Sequence, residues 1–147
     1  MTNRISWDNY WIQIAKNIAL RSTCIRRQIG AIIVKDNILI SSGYNGAPSG
    51  FPHCIDIGCI RNKNSIPAGE QYELCCAVHA EQNALLRSGL NSNGATMYVN
   101  EYPCTICARL MINAGIKRVV VIGTHPNKDG LRLLEQAGIK MDLIDNG

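Results

Sequence analysis

TMYVNEYPCTICARLMINAGIKRVVVI, residues 96–122, carries the pattern that decides the fold. Thr96 to Asn100 is rich in β-branched and aromatic residues and reads as a strand. Pro103 to Asn113 reads as a helix with Pro103 near its first turn, where a missing N–H costs nothing. Arg118 to Ile122 is a second β-branched strand, so the stretch is a strand–helix–strand unit. Toward the C-terminus, Asp129 to Gln136 reads as another helix and Lys140 to Ile144 as a last short strand. Toward the N-terminus, Val78 to Leu86 reads as a helix, and Ile29 to Val34 and Ile38 to Ser42 as two antiparallel strands turned by Lys35-Asp36-Asn37. From Asp8 to Leu20 apolar residues recur at three- and four-residue intervals behind a cap at Ser6 or Asp8, and Trp7 and Trp11 read as helix-packing residues. The order predicts an α/β protein, one five-stranded mixed sheet with helices on both faces, as a single domain over residues 1–147.

Between Gly43 and Glu73 periodicity is lost, and Gly43, Gly46, Pro48, Gly50, Pro52, Gly58, Pro67 and Gly69 punctuate the chain. A loop of that length in a compact domain is functional or is held by something other than a core.

At 147 residues a domain buries enough surface to need no disulfides, so seven cysteines call for another explanation. Asp8, Asn9, Gln13 and Lys16 interrupt the apolar positions near the N-terminus, and no run of about eighteen apolar residues occurs. The expectation is a cytoplasmic protein with no secretory signal and no membrane span. In a reducing compartment, clustered cysteines at short spacing point to metal. Fifteen basic against eleven acidic residues suits an anionic small molecule and is too weak for a nucleic-acid groove.

His79-Ala80-Glu81 and Pro103-Cys104-Thr105-Ile106-Cys107 together form the H-x-E and P-C-x-x-C pattern of zinc deaminases that act on nucleobases. Alone, a C-x-x-C also serves redox pairs and zinc ribbons. Cys104 and Cys107, three apart at a helix N-terminus, turn both sulfurs one way, and the helix dipole favours their thiolates. His79, opening the neighbouring helix, supplies a third ligand. Three protein ligands leave a fourth position for water, whose pKa zinc lowers to roughly 7. Glu81 then carries the proton between the water and the ring. The competing reading is a closed zinc site in which Glu81 only caps a helix.

From about Trp7 to Ile144 the chain resembles the deoxycytidylate deaminase family. The matching stretches are Arg27 to Val34, Gly43-Tyr44-Asn45-Gly46-Ala47-Pro48, Val78 to Ala84 and Pro103 to Cys107. The resemblance implies a cytidine-deaminase-like three-layer α/β/α fold, deoxycytidine monophosphate as substrate and deoxyuridine monophosphate as product. It implies Glu81 as catalytic acid and base, Asn45 on the deoxyribose and base edge, and Ala80 among the substrate-binding residues. It further implies homo-oligomers, hexamers or dimers, with activation by deoxycytidine triphosphate and Mg2+ and inhibition by deoxythymidine triphosphate. The long loop, about residues 45–75, resembles the subset of the family with a second, structural zinc, placed on Cys24, Cys54, Cys59 and Cys75. His53 is an alternative ligand there, and Cys76 is left unassigned. Where many relatives carry a Thr after the strand before P-C-x-x-C this chain has Asn100, and where many carry a Tyr after Val119-Val120-Val121 it has His125. Arg26, Arg27 and His125 are the phosphate candidates, since Arg forks suit that group. The other functions to weigh are a deaminase of another base, such as guanine or adenosine in transfer RNA, and a zinc module that binds without catalysing.

Overall fold

The computed structural model describes residues 3–145. Strands β1 (Gly30–Lys35), β2 (Ile38–Tyr44), β3 (Thr96–Val99), β4 (Arg118–Val121) and β5 (Lys140–Leu143) form one sheet in the order β2-β1-β3-β4-β5. β1 runs antiparallel to β2 and β3, and β3, β4 and β5 run parallel. Local chemistry accounts for both arrangements. Asp36 and Asn37 take positive φ (52° and 59°), which closes a two-residue hairpin between β1 and β2. Parallel neighbours need a crossover, and the helices Thr105–Asn113 and Asp129–Gln136 supply the two crossovers.

The remaining helices are α1 (Trp7–Ala19), two single turns α2 (Cys54–Ile57) and α3 (Ile60–Lys63), and α4 (Ala80–Ser88); the crossover helices are α5 and α6. Side chains alternate along β1. Ile32 and Val34 pack with Trp11, Ile12 and Ala15 of α1, while Ala31 and Ile33 join Ala84 of α4, Met111 of α5 and Leu134 of α6. Burial on both faces makes β1 read as a continuous apolar run. The result is the three-layer α/β/α arrangement with a mixed five-stranded sheet that the sequence implied. A Cβ at Gly30 would lie 2.1 Å from the Ala15 carbonyl oxygen, so α1 rests directly on the sheet backbone. A Cβ at Gly43 would lie 2.5 Å from the Ala80 carbonyl oxygen, which brings the end of β2 under the first turn of α4.

Several element ends shift by one or two residues from the sequence reading, and three departures have a visible cause. α4 begins at Ala80, because Val78 is held extended by paired hydrogen bonds with Gly46. α5 begins at Thr105, with Cys104 as its N-cap and Pro103 outside the helix. The aperiodic stretch contains α2, α3 and a 3₁₀ turn at Tyr72–Leu74, each too short to show a helical repeat.

Ser6 caps α1, its Oγ accepting the Asn9 N–H. Asp8 then ties α1 to the sheet, accepting both Nη groups of Arg118 on β4 (2.9 and 2.7 Å) and the Tyr98 hydroxyl of β3 (2.7 Å). The Arg118 hydrogen bonds hold the Asp8 carboxyl below its ordinary value of 3.8, against the opposing effect of partial burial. A depressed carboxyl pKa contributes stability that is complete above the unfolded-state value and is lost as pH falls through the folded-state value. Asp8→Asn is therefore expected to cost about 1 kcal/mol at pH 7, discounted for partial exposure, with the deficit vanishing toward about pH 2. Urea unfolding of both proteins across that range measures it.

Candidate active site and metal centre

Two helix N-termini meet above the sheet. His79 precedes α4, its backbone N–H donated to Gln82 Oε1 (2.8 Å), and Cys104 caps α5, its Sγ accepting the Cys107 N–H (3.4 Å). The helices approach closely because the packed residues are small: Ala80, Ala84 and Ala108 are fully buried. His79 Nδ1 thus lies 3.2 Å from Cys107 Sγ and 3.5 Å from Cys104 Sγ. All three ligand atoms fall within 4.8 Å of one another, and among the described residues no other trio of His, Cys, Asp or Glu comes so close. Tetrahedral zinc bonded at about 2.1 Å to nitrogen and 2.3 Å to sulfur spaces its ligand atoms by roughly 3.5–3.8 Å. One imidazole and two thiols at these separations fit zinc in both chemistry and spacing.

The electrostatics agree. The hydrogen bond from the Cys107 thiol, with help from His79 and the Cys107 N–H, outweighs burial and brings Cys104 down to about 4. Cys107, donating to that thiolate and itself buried, is pushed far up. Burial alone would lower His79, but its contact with Cys104 and the charge of Glu81 raise it. These groups bind protons where they would bind a cation, so metal uptake displaces protons.

Glu81 is 4 % exposed and sits beside Cys107, on the first turn of α4. Burial pushes its carboxyl above the ordinary range, with His79 opposing and Cys104 adding to the rise. A carboxyl shifted toward neutrality suits a group that must both take up and release a proton.

His79, Glu81 and Cys104 line a cavity of about 380 Å³. Asn45, Arg26, Arg27 and His125 also line it, so the structure brings the substrate-binding candidates into one place. Asn45 is buried; its Oδ1 accepts the Ile29 N–H and its Nδ2 donates to the Arg27 carbonyl (both 2.9 Å), leaving one hydrogen and one lone pair free. Ala80 is fully buried and is not among the residues that line the cavity. Asn100 stitches the end of β3 to the entry of β1, accepting the Gly30 N–H and donating to the Gln28 carbonyl. Arg26 donates to Asn62 Oδ1 and to the Ile66 and Pro67 carbonyls, and Arg27 pairs with Glu101. Both arginine candidates for the phosphate thus already contact protein acceptors. His125 Nδ1 accepts the Asn127 N–H, which leaves Nε2 as the donor.

Cys24, Cys54, Cys59 and Cys75 do not form a compact set of ligands. Cys54 is buried and pushed up to about 11 by that burial and by the thiols of Cys76, Cys24 and Cys59 around it. Cys76, not Cys75, is the nearer partner, and Cys75 lines the cavity instead.

Three residues at the site gave no sequence signal. Glu101 Oε1 accepts the N–H groups of Tyr102, Thr124 and His125 while Oε2 meets Arg27, anchoring the loop after β4. The Tyr72 and His79 rings are inclined at 69° with centroids 5.3 Å apart, and the Arg61 guanidinium lies over the Tyr72 ring. Glu101 adjoins the cysteine motif, yet nothing in its spacing marked it; Tyr72 and Arg61 lie in the aperiodic loop.

A buried carboxyl beside an imidazole and two thiols, on an α/β/α frame, fits a zinc centre with a proton-carrying group at its side. Residues 5–123 match the cytidine and deoxycytidylate deaminase zinc-binding region, and the chain belongs to that family. It is 37 % identical over 142 residues to a deoxycytidylate deaminase of Schizosaccharomyces pombe, covering 94 % of this chain and 44 % of that protein, so it spans under half the length of that relative. It is 39 % identical over 150 residues to ComE operon protein 2 of Bacillus subtilis, covering 97 % of this chain and 73 % of that one. A crystal structure of the deaminase of deoxycytidine monophosphate from cyanophage S-TIM5, with that nucleotide and deoxyuridine monophosphate bound, is similar at a TM-score of 0.80 and 27 % identity, covering 97 % and 100 % of the two chains.

Removing Glu101 by Glu101→Ala takes the acceptor from the buried His125 N–H, from the N–H groups of Tyr102 and Thr124, and from Arg27. Denaturant unfolding is expected to show a loss of about 3 kcal/mol.

Proposed function

We propose that this chain is a deoxycytidylate deaminase, converting deoxycytidine monophosphate and water to deoxyuridine monophosphate and ammonia and so supplying the precursor of thymidylate. The observation that carries it is Glu81, buried within the same cavity as the zinc-fitting trio, with cationic side chains on the walls. A closed structural site has no use for a buried, proton-holding carboxyl.

His79, Cys104 and Cys107 hold the metal, which when bound supplies a polarised water as nucleophile. Glu81 accepts a proton as the water oxygen adds to C4 of cytosine and delivers it to N3. A second proton passes to the amino group, the C4–N bond breaks, ammonia leaves and C4 becomes a carbonyl. Asn45 and His125 line the nucleoside, and Arg26 and Arg27 raise the positive potential of the cavity.

Loss of absorbance at the cytosine band and release of ammonia on mixing the zinc protein with deoxycytidine monophosphate test the reading. Glu81→Gln is expected to keep its zinc and lose at least about 10³-fold in kcat. No turnover of any cytosine nucleoside or nucleotide would reject it.

The loop at 45–75 would be pinned by a second, structural zinc drawing on Cys54 and the thiols nearest it, Cys24, Cys59 and Cys76. Binding has to draw these sulfurs together, because they lie beyond ligating distance as a set. Metal analysis is expected to find two zinc ions per chain, falling to one in Cys54→Ser; one ion in the unaltered protein would remove the second site. Seven free thiols fit a cytoplasmic setting, and among the described residues no helix is long and apolar enough to cross a membrane. The apolar groove of Val78, Leu85, Leu86, Leu110 and Ala114 between α4 and α5 supports a homo-oligomer. Triphosphate regulation with Mg2+ rests on the family resemblance.

A further inference from the structure

Arg61 is an arginine without a counter-ion in the wall of the cavity. It is 7 % exposed, and among the described residues no carboxylate pairs with it. Its Nη1 donates to the Glu70 carbonyl at 3.2 Å, and its buried Nε has no partner at all. The guanidinium carbon lies 4.8 Å from the centre of the Tyr72 ring, which is inclined at 69° to the ring of the metal-binding His79.

Burying a cation costs several kcal/mol unless an anion or a full set of acceptors compensates. One carbonyl and one aromatic face compensate only in part. Arg26 and Arg27 line the same cavity, but carbonyls, Asn62 and Glu101 already engage them. Of the three arginines, Arg61 alone has a buried donor without a partner. Its field also reaches the centre, lowering both His79 and Tyr72 relative to what their other neighbours would set.

We propose that Arg61 is the principal anchor for the 5′-phosphate of the substrate, the residue that makes the site prefer a nucleoside monophosphate to the free nucleoside. The inference rests on the deaminase reading above and names the residue that reading left open. A phosphate in the cavity supplies the anionic partner that the protein does not give Arg61, and the guanidinium fork suits phosphate oxygens. Stacked on Tyr72, the fork is held in one orientation before substrate arrives, so little side-chain entropy is lost on binding. Tyr72 then sits between the phosphate anchor and the metal ligand.

The test compares Arg61→Gln and Arg61→Lys with the unaltered zinc protein, after confirming zinc content and circular dichroism. Steady-state rates are measured with deoxycytidine monophosphate and with deoxycytidine, and binding of deoxyuridine monophosphate, deoxyuridine and inorganic phosphate by calorimetry. In Arg61→Gln the ratio of kcat/KM for the nucleotide to that for the nucleoside is expected to fall about 10- to 100-fold, mostly through KM, with Arg61→Lys intermediate. Binding of deoxyuridine monophosphate should weaken by a similar factor, and that of deoxyuridine far less. Equal loss with nucleotide and nucleoside, or no loss with either, would overturn the proposal. If Arg61→Gln does not fold or lacks zinc, Arg61→Lys decides it, because a retained charge without the fork must still lower the ratio. Failure of the deaminase reading shows separately, as absence of turnover by the unaltered protein, and the calorimetry then still reports whether Arg61 holds inorganic phosphate.

Discussion

The close approach of α4 to α5 is the constraint on which the rest depends. Zinc chemistry requires His79 on one helix and Cys104 and Cys107 on the other to come within about 4 Å. Side chains of ordinary size between two helices would hold their axes some 8–10 Å apart or more. Fully buried Ala80, Ala84 and Ala108 let the N-terminal turns converge, and Gly43 lets β2 pass under the same turn. The sheet completes the arrangement: β1 and β3 are adjacent, so the elements above them are adjacent too.

Polar groups around the centre are held in the same way. Glu101 collects three N–H groups from two segments and pairs with Arg27, so the stretch before Cys104 and the loop carrying His125 move as one. Asn45 and Asn100 do the like for the entry to β1. Side-chain amides here replace ladder hydrogen bonds where strands end, which keeps the cavity walls rigid without further secondary structure. Against this frame the 45–75 loop is different, with two single-turn helices and few apolar anchors apart from Cys54, Cys59 and Ile66. It nevertheless contributes Arg61 and Tyr72 to the cavity. Rigid elements set the chemistry, and the loop sets what else the cavity will hold.

Strand and helix order was legible because both periods are strong: β-branched runs at 30–34, 96–99 and 118–121, and a helical repeat in α1. The ends of α4 and α5 were less legible, since Val78 and Pro103 look helical in sequence and are held extended by Gly46 and by the cap. The metal ligands were legible from spacing alone, because metal binding at a helix start leaves a local mark. Glu101, Arg61 and Tyr72 left none, as their roles depend on partners 7 to 74 residues away. The choice between Cys75 and Cys76 follows from the direction of a single turn before Ala77, which adjacent identical residues cannot encode.

Sequence by itself determined the fold class and the trio of His79, Cys104 and Cys107, and marked Glu81 as the candidate proton carrier, for those are written as periodicity and short spacings along the chain. Tertiary structure alone decided how each charge is met: Arg26 is held by neutral acceptors, Arg27 pairs with Glu101, and Arg61 is buried without a counter-ion. All three are arginines in sequence. Only packing fixes the distance of each from an acceptor, and that distance decides whether a buried cation is already neutralised or still requires a ligand.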